Sequence, residues 1–326
     1  MRDFLGVEVF ELDRIPVVLD VDTGIDDALA IMLALRSPEL EVLGITCVSG
    51  NVHVDKVVAN TKAVVELMKE KIQVYKGAQK PLLRDLRTAE WVHGEDGLAN
   101  TYLARDKGYK SDGNAIEALI NLSREYSGDL VVVTTGPLTN LALALSVEPE
   151  VIDHIKEHYM MGGAFGVTEY GFGNASASAE FNIWQDPEAA KIVLQSELVT
   201  YAIGLDVTMD PSSALTLEDA EEIRKRGCDV CEMAYRITKF YIENTGDPLM
   251  RLHDPMAVAA VIDKSLFEFV SLPVEVEVTG NVTAGTTIAD KRPWARKKNR
   301  KNIACRVDGE RFKRMFIERI TKAARE

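Results

Sequence analysis

The sequence contains few cysteines and no long apolar run. Four cysteines in 326 residues are too few and too scattered for a disulfide framework. No apolar stretch approaches the roughly 20 residues of a membrane-spanning helix, and the segment from Met1 to Leu12 lacks the apolar core of a secretory signal. These absences predict a cytoplasmic protein that does not depend on disulfides for its fold.

Basic residues are also scarce relative to acidic ones. The chain has 38 Lys plus Arg against 51 Asp plus Glu, a formal net charge of −13, which disfavours polyanionic partners. The basic run from Lys291 to Lys301, with Trp294 inside it, is interpreted as a solvated loop or a subunit contact. We therefore expect neither nucleic acid nor a membrane as a partner.

Cys228 and Cys231 form a CxxC spacing in an acidic segment with a helical pattern. The acidic surroundings argue against redox chemistry, because they do not favour a thiolate. We interpret the pair as two small residues on adjacent turns of a helix. Zinc binding and thiol chemistry are the alternatives.

Short apolar segments alternate with helical patterns along most of the chain, and 46% of the residues are apolar. The pattern predicts one α/β domain over residues 1–326, with a mainly parallel, Rossmann-like sheet flanked by helices. The predicted strands are Ile15–Leu19, Val42–Val48, Leu130–Thr134, Tyr159–Met161 and Thr200–Leu205. The predicted helices are Asp26–Arg36, Val54–Lys69, Leu138–Ser146, Pro187–Gln195, Leu217–Asn244 and Met256–Ile262.

In the last third of the chain, the alternation of strand and helix patterns gives way to adjacent strand patterns. Val274–Thr279 and Val282–Thr287 alternate around Gly280-Asn281, which predicts a small antiparallel extension near the C-terminus. In an open parallel sheet, ligands bind beyond the carboxyl ends of the strands. The residues that follow each predicted strand are therefore the first candidates for a functional site.

Four carboxylates follow the first predicted strand within eight positions: Asp20, Asp22, Asp26 and Asp27. Charges packed so closely repel one another, so the cluster must be solvated, protonated or bound to a cation. Oxygen donors favour calcium or magnesium over zinc or copper. A metal site is one interpretation; capping of the following helix by Asp26 and Asp27 is the other.

Two later segments carry further polar candidates. Asn174, Glu180 and Asn182 lie in the loop from Gly171 to Ile183 and offer donors and acceptors for a polyhydroxylated ligand, although a plain polar loop has the same composition. His253 and Asp254 directly precede an apolar helix, which Asp254 could instead cap.

Taken together, these segments resemble the inosine-uridine type nucleoside hydrolases, in the same order and across nearly the whole chain. The opening Asp20-Val21-Asp22-Thr23-Gly24-Ile25-Asp26-Asp27 is similar to the DxDPGxDD pattern of that family. Thr23 stands where proline is usual, which loosens the turn but removes no carboxylate. Further matches are Ser49-Gly50-Asn51, His93-Gly94-Glu95-Asp96-Gly97, Thr135-Gly136-Pro137-Leu138-Thr139-Asn140, Met161-Gly162-Gly163, Gly173-Asn174, Ala179-Glu180-Phe181-Asn182, Asp186-Pro187-Glu188-Ala189-Ala190, Gly204-Leu205-Asp206-Val207-Thr208 and His253-Asp254-Pro255.

The resemblance implies a ribonucleoside hydrolase that cuts the N-glycosidic bond with the help of one calcium ion per subunit. It implies calcium ligands at the carboxylates of Asp22, Asp27 and Asp254 and at the main-chain carbonyl of Thr135, with Asp20 supporting this set from behind. Asp22 would be the general base for a calcium-activated water. His253 would protonate the leaving base.

The same resemblance implies the substrate contacts. Asp26 would bind the ribose 2′-hydroxyl, Asn182 would help to hold the diol, and Asn174 and Glu180 would bind the 5′-hydroxyl. Further contacts are implied for Asn51, Met161, Phe181, His93 and Tyr241. An exposed loop position is the alternative for His93, and a place in the core is the alternative for Tyr235, a second aromatic residue near the expected base site.

The expected substrates are uridine, cytidine and/or inosine, with a cytidine-uridine and an inosine-uridine preference both open, and the expected assembly is a homodimer or homotetramer. A haloacid-dehalogenase-like phosphatase also places Asp-x-Asp after a Val-rich strand, but it expects Thr or Val where this chain has Gly24. A nucleoside-binding protein without activity could use the same loops. The predicted base Asp22 and acid His253 argue against it.

Overall fold

The computed structural model describes residues 14–295 and 298–322. Its central element is a nine-stranded sheet with the order β3-β2-β1-β4-β5-β6-β9-β7-β8. The strands are β1 (Ile15–Val21), β2 (Leu40–Cys47), β3 (Val74–Lys76), β4 (Leu130–Thr134), β5 (Ile155–Met161), β6 (Thr200–Ile203), β7 (Phe267–Val276), β8 (Thr287–Ala289) and β9 (Arg300–Val307). Strands β1 to β6 and β9 pair in parallel, whereas β7 is antiparallel to both β9 and β8.

Helices cover both faces of this sheet. They are α1 (Ile25–Arg36), α2 (Val54–Leu67), α3 (Glu90–His93), α4 (Ala115–Glu125), α5 (Thr139–Val147), α6 (Val151–His154), α7 (Phe181–Gln185), α8 (Pro187–Gln195), α9 (Leu205–Thr208), α10 (Leu217–Arg224), α11 (Asp229–Thr245), α12 (His253–Ile262) and α13 (Gly309–Ile320). Side chains of β1 alternate between two apolar cores, with Val17 and Leu19 in one and Val18 in the other. The first core includes α1, α12 and α13, and the second includes α5 and α8.

The predicted α/β fold with a mainly parallel sheet is therefore confirmed, and β4 and α8 have the predicted bounds. The single helix predicted over Leu217–Asn244 is wrong. The chain forms α10 and α11 instead, because Gly227 adopts a φ of 74° between them, in the left-handed region that ends helices.

The antiparallel extension is present, but its predicted strand bounds are wrong. Strand β7 ends at Val276 and β8 begins at Thr287. The chain between them is a longer loop, in which the Glu277 carboxylate accepts the backbone N–H groups of Thr279 (2.7 Å) and Gly280 (3.0 Å). These local hydrogen bonds replace the strand pairing expected around Gly280.

The interpretation of the CxxC pair as two unlinked small residues is wrong. Cys228 precedes α11 as its N-cap and forms a disulfide with Cys231 in the first turn. The sulfur of Cys228 also accepts the backbone N–H of Cys231 at 3.1 Å.

The segment from Met1 to Leu12, where the sequence predicts no secretory signal, lies outside the described residues. Within the part that is described, no helix is long and apolar enough to cross a bilayer.

The basic run from Lys291 to Lys301 is only partly the solvated loop that its sequence indicates. Trp294 is 77% exposed, as a solvated loop requires, and residues 296 and 297 of the run lie outside the described part. Its last residues enter β9, where Lys301 is only 1% exposed. The Lys301 ammonium donates to the carbonyls of Ser196 (2.9 Å) and Leu198 (2.7 Å). These acceptors make the burial of a cation tolerable.

Replacement of Lys301 by methionine should change how stability depends on pH. Burial lowers the pKa of Lys301 to about 8, against roughly 10.4 in an unfolded chain. Between these values the unfolded chain holds a proton that the folded protein has released, so raising the pH stabilises the fold. Relative to Lys301→Met, the wild-type free energy of unfolding should rise by about 2 kcal/mol from pH 7.5 to pH 10. Urea unfolding at both pH values measures this, and a constant difference would contradict it.

Candidate active site

A cavity of about 380 Å³ opens beyond the carboxyl ends of the parallel strands. Its volume lies in the range typical of small-molecule sites. The cavity brings together most of the residues that the sequence singled out. Those on its wall are Asp26, Asn51, His93, Thr135, Met161, Asn174, Glu180, Phe181, Asn182, Tyr241, His253 and Asp254.

Asp22 follows β1 directly and is fully buried between two glycines. A Cβ atom at Gly50 would lie 2.0 Å from its Oδ2, and one at Gly136 would lie 3.0 Å from its Cγ, so only glycine allows this approach. Oδ2 accepts the backbone N–H of Asn51 at 2.8 Å. Oδ1 is buried without a hydrogen-bond partner among the described residues, which marks it as an acceptor available to a ligand.

Asp27 lies in the first turn of α1 and is surrounded by donors. Its Oδ2 accepts the backbone N–H of Gly24 (2.8 Å) and the side-chain amide of Asn51 (3.2 Å). Its Oδ1 accepts the Thr135 hydroxyl (2.7 Å) and the N–H of Asp22 (3.3 Å). The bond to Gly24 is a helix-capping bond, so Asp27 caps α1 and belongs to the carboxylate cluster at once.

Asp26, Asp27 and Asp254 each place one carboxylate oxygen within 4.8 Å of the others. Burial, followed by the charge of Asp27, raises the pKa of Asp26 to about 7. Burial and the neighbouring carboxylates also raise the pKa of Asp22 and Asp254 well above the usual range. The cluster therefore resists holding its full negative charge without a cation.

The donor set fits a hard divalent cation. It consists of oxygen atoms only, and Oδ1 of Asp22, which no described residue contacts by a hydrogen bond, lies beside it. The three carboxylates that lie closest together are those of Asp26, Asp27 and Asp254, whereas the resemblance implies Asp22, Asp27 and Asp254 as the ligands. The structure therefore supports a metal-binding cluster, and the assignment of individual ligands stays a prediction.

Thr135 and Asn182 join the cluster to the loop on the other side of the cavity. The Asn182 side-chain amide donates to the carbonyls of Thr135 (2.7 Å) and Met161 (3.2 Å). A carbonyl oxygen has two lone pairs, so Thr135 keeps acceptor capacity for a further partner. This link holds Asn182 against the ends of β4 and β5.

Asp20 lies behind the cavity and is fully buried. Its Oδ1 accepts the Thr46 hydroxyl (2.5 Å) and the Asn140 side-chain amide (2.7 Å). Burial raises the pKa of Asp20 to about 7, and the charge of Asp27 adds to that effect. This position suits a residue that supports the cluster without contacting a ligand.

The loop before α7 supplies the opposite wall. Glu180 is 2% exposed and begins α7, where its carboxylate accepts the N–H groups of Asn182 (2.9 Å) and Gly163 (2.9 Å). Burial raises the pKa of Glu180. Asn174 accepts the backbone N–H of Phe181 at 2.9 Å, which fixes this loop against the helix. These hydrogen bonds order the loop, and its role as a ligand-binding loop rather than a plain polar loop stays a prediction.

The two histidines of the cavity are held in different ways. His93 is 7% exposed, and its Nδ1 accepts the N–H of Ile25 at 3.2 Å, so the neutral ring carries its proton on Nε2. Because His93 is buried, the alternative of an exposed loop histidine is wrong, and the same burial lowers its pKa to about 3. His253 pairs through Nδ1 with the Thr208 hydroxyl at 2.8 Å. Burial and the charge of Arg251 lower its pKa to about 4.

The two tyrosines that the sequence places near the expected base site, Tyr235 and Tyr241, lie in different surroundings. Tyr241 lies on the cavity wall, near the C-terminal end of α11. Tyr235 lies one and a half turns earlier, is buried, and stacks under the guanidinium of Arg224, whose carbon is 4.4 Å from the ring centre. The core alternative is therefore right for Tyr235.

Several wall residues were not predicted as site residues. They are Ile25, Ala89, Trp91, Val92, Ala175, Met209, Thr245, Asp247, Met250 and Arg251. Most lie on α3, after α9, or in the connection from α11 to α12. Arg251 stands two residues before His253, and that proximity in sequence was the one signal available for it.

The model of the inosine-uridine preferring nucleoside hydrolase family matches residues 17–314. The chain belongs to this family. It is 36% identical over 313 residues to an inosine-uridine preferring nucleoside hydrolase of Leishmania major, with 94% of this chain and 97% of the relative covered. It is 37% identical to the pyrimidine-specific ribonucleoside hydrolase RihA of Salmonella schwarzengrund, with 94% and 98% covered.

A solved structure of a purine-preferring ribonucleoside hydrolase from Gardnerella vaginalis is similar throughout, with a TM-score of 0.86, 35% identity and coverage of 94% of this chain and 98% of that one. These likenesses confirm the predicted family, fold class and enzyme class: the chain is a ribonucleoside hydrolase. The phosphatase alternative has no support. The three relatives are named for three different base preferences, so the likeness alone assigns none to this chain.

Proposed function

We propose that this ribonucleoside hydrolase uses Asp22 as its general base and a calcium ion held by the carboxylate cluster. The observation that carries the proposal is the buried Oδ1 of Asp22, which has no hydrogen-bond partner in the described part of the chain and lies close to the carboxylates of Asp26, Asp27 and Asp254. A buried acceptor of this kind is costly unless a ligand satisfies it. A cation and a water molecule at this place would satisfy it.

The calcium ligands would be the carboxylates of Asp22, Asp27 and Asp254 and the carbonyl of Thr135. When bound, calcium would neutralise the cluster, hold the ribose 2′,3′-diol and make a water molecule more acidic. Asp26, whose side chain reaches the cavity, would accept a hydrogen bond from the 2′-hydroxyl. The sugar would thus be fixed at two neighbouring hydroxyls before the reaction begins.

The sugar's other end would contact the wall formed by the loop before α7. Asn174 and Glu180 would bind the 5′-hydroxyl, and Asn182 would add an amide contact to the diol. Met161 and Asn51 line the cavity beside them and would close it around the ribose. Hydrogen bonds to backbone N–H groups already hold Glu180 in place, so it needs no reorganisation to accept the substrate.

Asp22 would take the proton of the attacking water as the water oxygen approaches C1′. The C1′–N bond would break with an oxocarbenium-like transition state, which carries positive charge on the sugar. The acidic side chains Asp26, Asp27 and Asp254, whose carboxylate oxygens lie close together, would face this sugar and stabilise that charge. The repulsion that destabilises the free cluster would become attraction to the reacting sugar.

His253 would protonate the leaving base. Its Nδ1 contacts the Thr208 hydroxyl at 2.8 Å, and if that hydroxyl is the donor, Nε2 carries the ring proton. In that tautomer Nε2–H would donate a hydrogen bond to a ring nitrogen of the base, and a ring protonated on both nitrogens would transfer the proton and be left as neutral imidazole. Tyr241, His93 and Phe181 would contact the base or its junction with the sugar. We propose uridine, cytidine and inosine as the substrates.

We also propose that the enzyme is a homodimer or homotetramer. Large apolar side chains are exposed outside the cavity, among them Leu83 at 79%, Val282 at 84% and Trp294 at 77%. If these side chains lay at a subunit contact, the hydrophobic effect would stabilise the assembly by removing their apolar area from water. Sedimentation of the purified protein measures the state directly.

Asp22→Asn should lower turnover of uridine by about 1,000-fold or more while the fold is kept. The change removes the proposed base and one anionic ligand, but it also removes a buried charge, so the melting temperature should not fall. Ribose release measures the turnover. Asp85→Asn, the same change at an exposed residue outside the cavity, is the control and should match the wild type. Near-normal turnover by Asp22→Asn would reject the assigned base.

His253→Ala should reduce hydrolysis of uridine far more than hydrolysis of p-nitrophenyl riboside. Uracil leaves poorly without a proton, whereas p-nitrophenolate needs none. The kcat/KM for uridine should therefore fall about 100-fold, and that for p-nitrophenyl riboside should change by a few-fold. The ratio of the two kcat/KM values is the measurement. Equal losses on both substrates would remove His253 from the acid role.

A further inference from the structure

Arg251 is a buried cation on the cavity wall with few hydrogen bonds. Its side chain is 11% exposed, and Nη1 donates to the carbonyl of Met209 at 3.3 Å. Nε is buried and has no partner within the described part of the chain. A guanidinium carries five N–H donors, and leaving such donors unsatisfied inside a protein is costly.

The carboxylate of Asp247 does not pair closely with Arg251. Nη2 lies 3.7 Å from Oδ2 of Asp247, too far for a hydrogen bond. A structural pair in the same protein looks different: Arg319 holds both oxygens of Glu39, at 2.8 and 2.7 Å. Asp247 therefore offsets part of the charge of Arg251 without accepting a hydrogen bond from Nη2.

The backbone around Arg251 is held rigidly. Met250 exchanges two hydrogen bonds with Leu215, at 2.9 and 3.0 Å, and α12 begins two residues after Arg251. Arg251, Met209 and Tyr241 all lie on the cavity wall, and His253 follows on the same connection. A donor on such a support is preorganised for a ligand in the cavity.

We propose that Arg251 recognises a carbonyl oxygen of the nucleobase and stabilises the negative charge that this oxygen gains during cleavage. The inference rests on the proposed hydrolysis of nucleosides. It defines the preferred substrates as ribonucleosides whose base carries a ring carbonyl, which uracil, cytosine and hypoxanthine have and adenine lacks.

The chemistry balances without a change in Arg251 itself. The electron pair of the C1′–N bond moves to the base and spreads onto the carbonyl oxygen, while the water oxygen bonds to C1′. One water proton goes to Asp22, and a proton delivered to the base completes the free nucleobase. Arg251 stays protonated throughout, because a guanidinium does not lose its proton in this pH range.

Arg251→Met tests the proposal, since methionine keeps much of the apolar length and removes every donor. We expect kcat/KM for uridine to fall about 100-fold, the size of effect seen when one preorganised donor is lost, and that for p-nitrophenyl riboside to change less than threefold. The inhibition constant of free uracil should rise about tenfold, while that of ribose stays unchanged. Arg236→Met, the same change at an exposed position of α11, is the control and should behave as wild type.

Arg251→Lys keeps the charge and should recover part of the loss on uridine. If Arg251→Met does not fold, Arg251→Lys is used in its place. A fall in kcat/KM for uridine without a fall for p-nitrophenyl riboside would then support the proposal. Equal losses on both substrates, or an unchanged inhibition constant for uracil, would overturn the role of Arg251. If the wild type releases ribose from no nucleoside, the proposed function itself fails, and the two failures are distinguished.

Discussion

Electrostatic repulsion among Asp22, Asp26, Asp27 and Asp254 is the constraint on which this site depends. The fold brings these carboxylates together at the ends of β1 and the starts of α1 and α12, and their burial makes full ionisation unfavourable. Backbone and side-chain donors hold Asp27, but one oxygen of Asp22 has no partner in the described chain. A cluster of this kind can bind a cation, which would offset the repulsion among its carboxylates.

The rest of the molecule serves to hold that cluster in place. Parallel pairing aligns the ends of β1, β2, β4 and β5, so Asp22, Asn51, Thr135 and Met161 emerge at one edge of the sheet. Gly50 and Gly136 allow the backbone to close on Asp22 without a side chain between. The loop before α7 and the connection before α12 then form the facing walls, one made mainly of neutral donors and acceptors and the other containing the cation Arg251.

The sequence predicted the parts of this protein that local pattern determines. Val-rich strands such as β4, the acidic run after β1 and the family pattern gave the fold and most of the wall residues. It did not predict the break at Gly227, because a long amphipathic pattern continues across it. It did not predict that Lys301 is buried, because a basic run shows its charge but not the carbonyls of Ser196 and Leu198 that accept it. Arg251 was missed because its importance depends on distances to Met209 and Asp247, which a sequence does not contain.

Calorimetric titration of the metal-free protein with calcium measures whether the carboxylate cluster binds the ion. One calcium ion should bind per chain, and binding should be lost in Asp27→Asn and kept in Asp85→Asn. Absence of binding by the wild-type protein, or equal binding by both variants, would contradict it, because the crowded carboxylates would then be maintained without the cation that their arrangement requires.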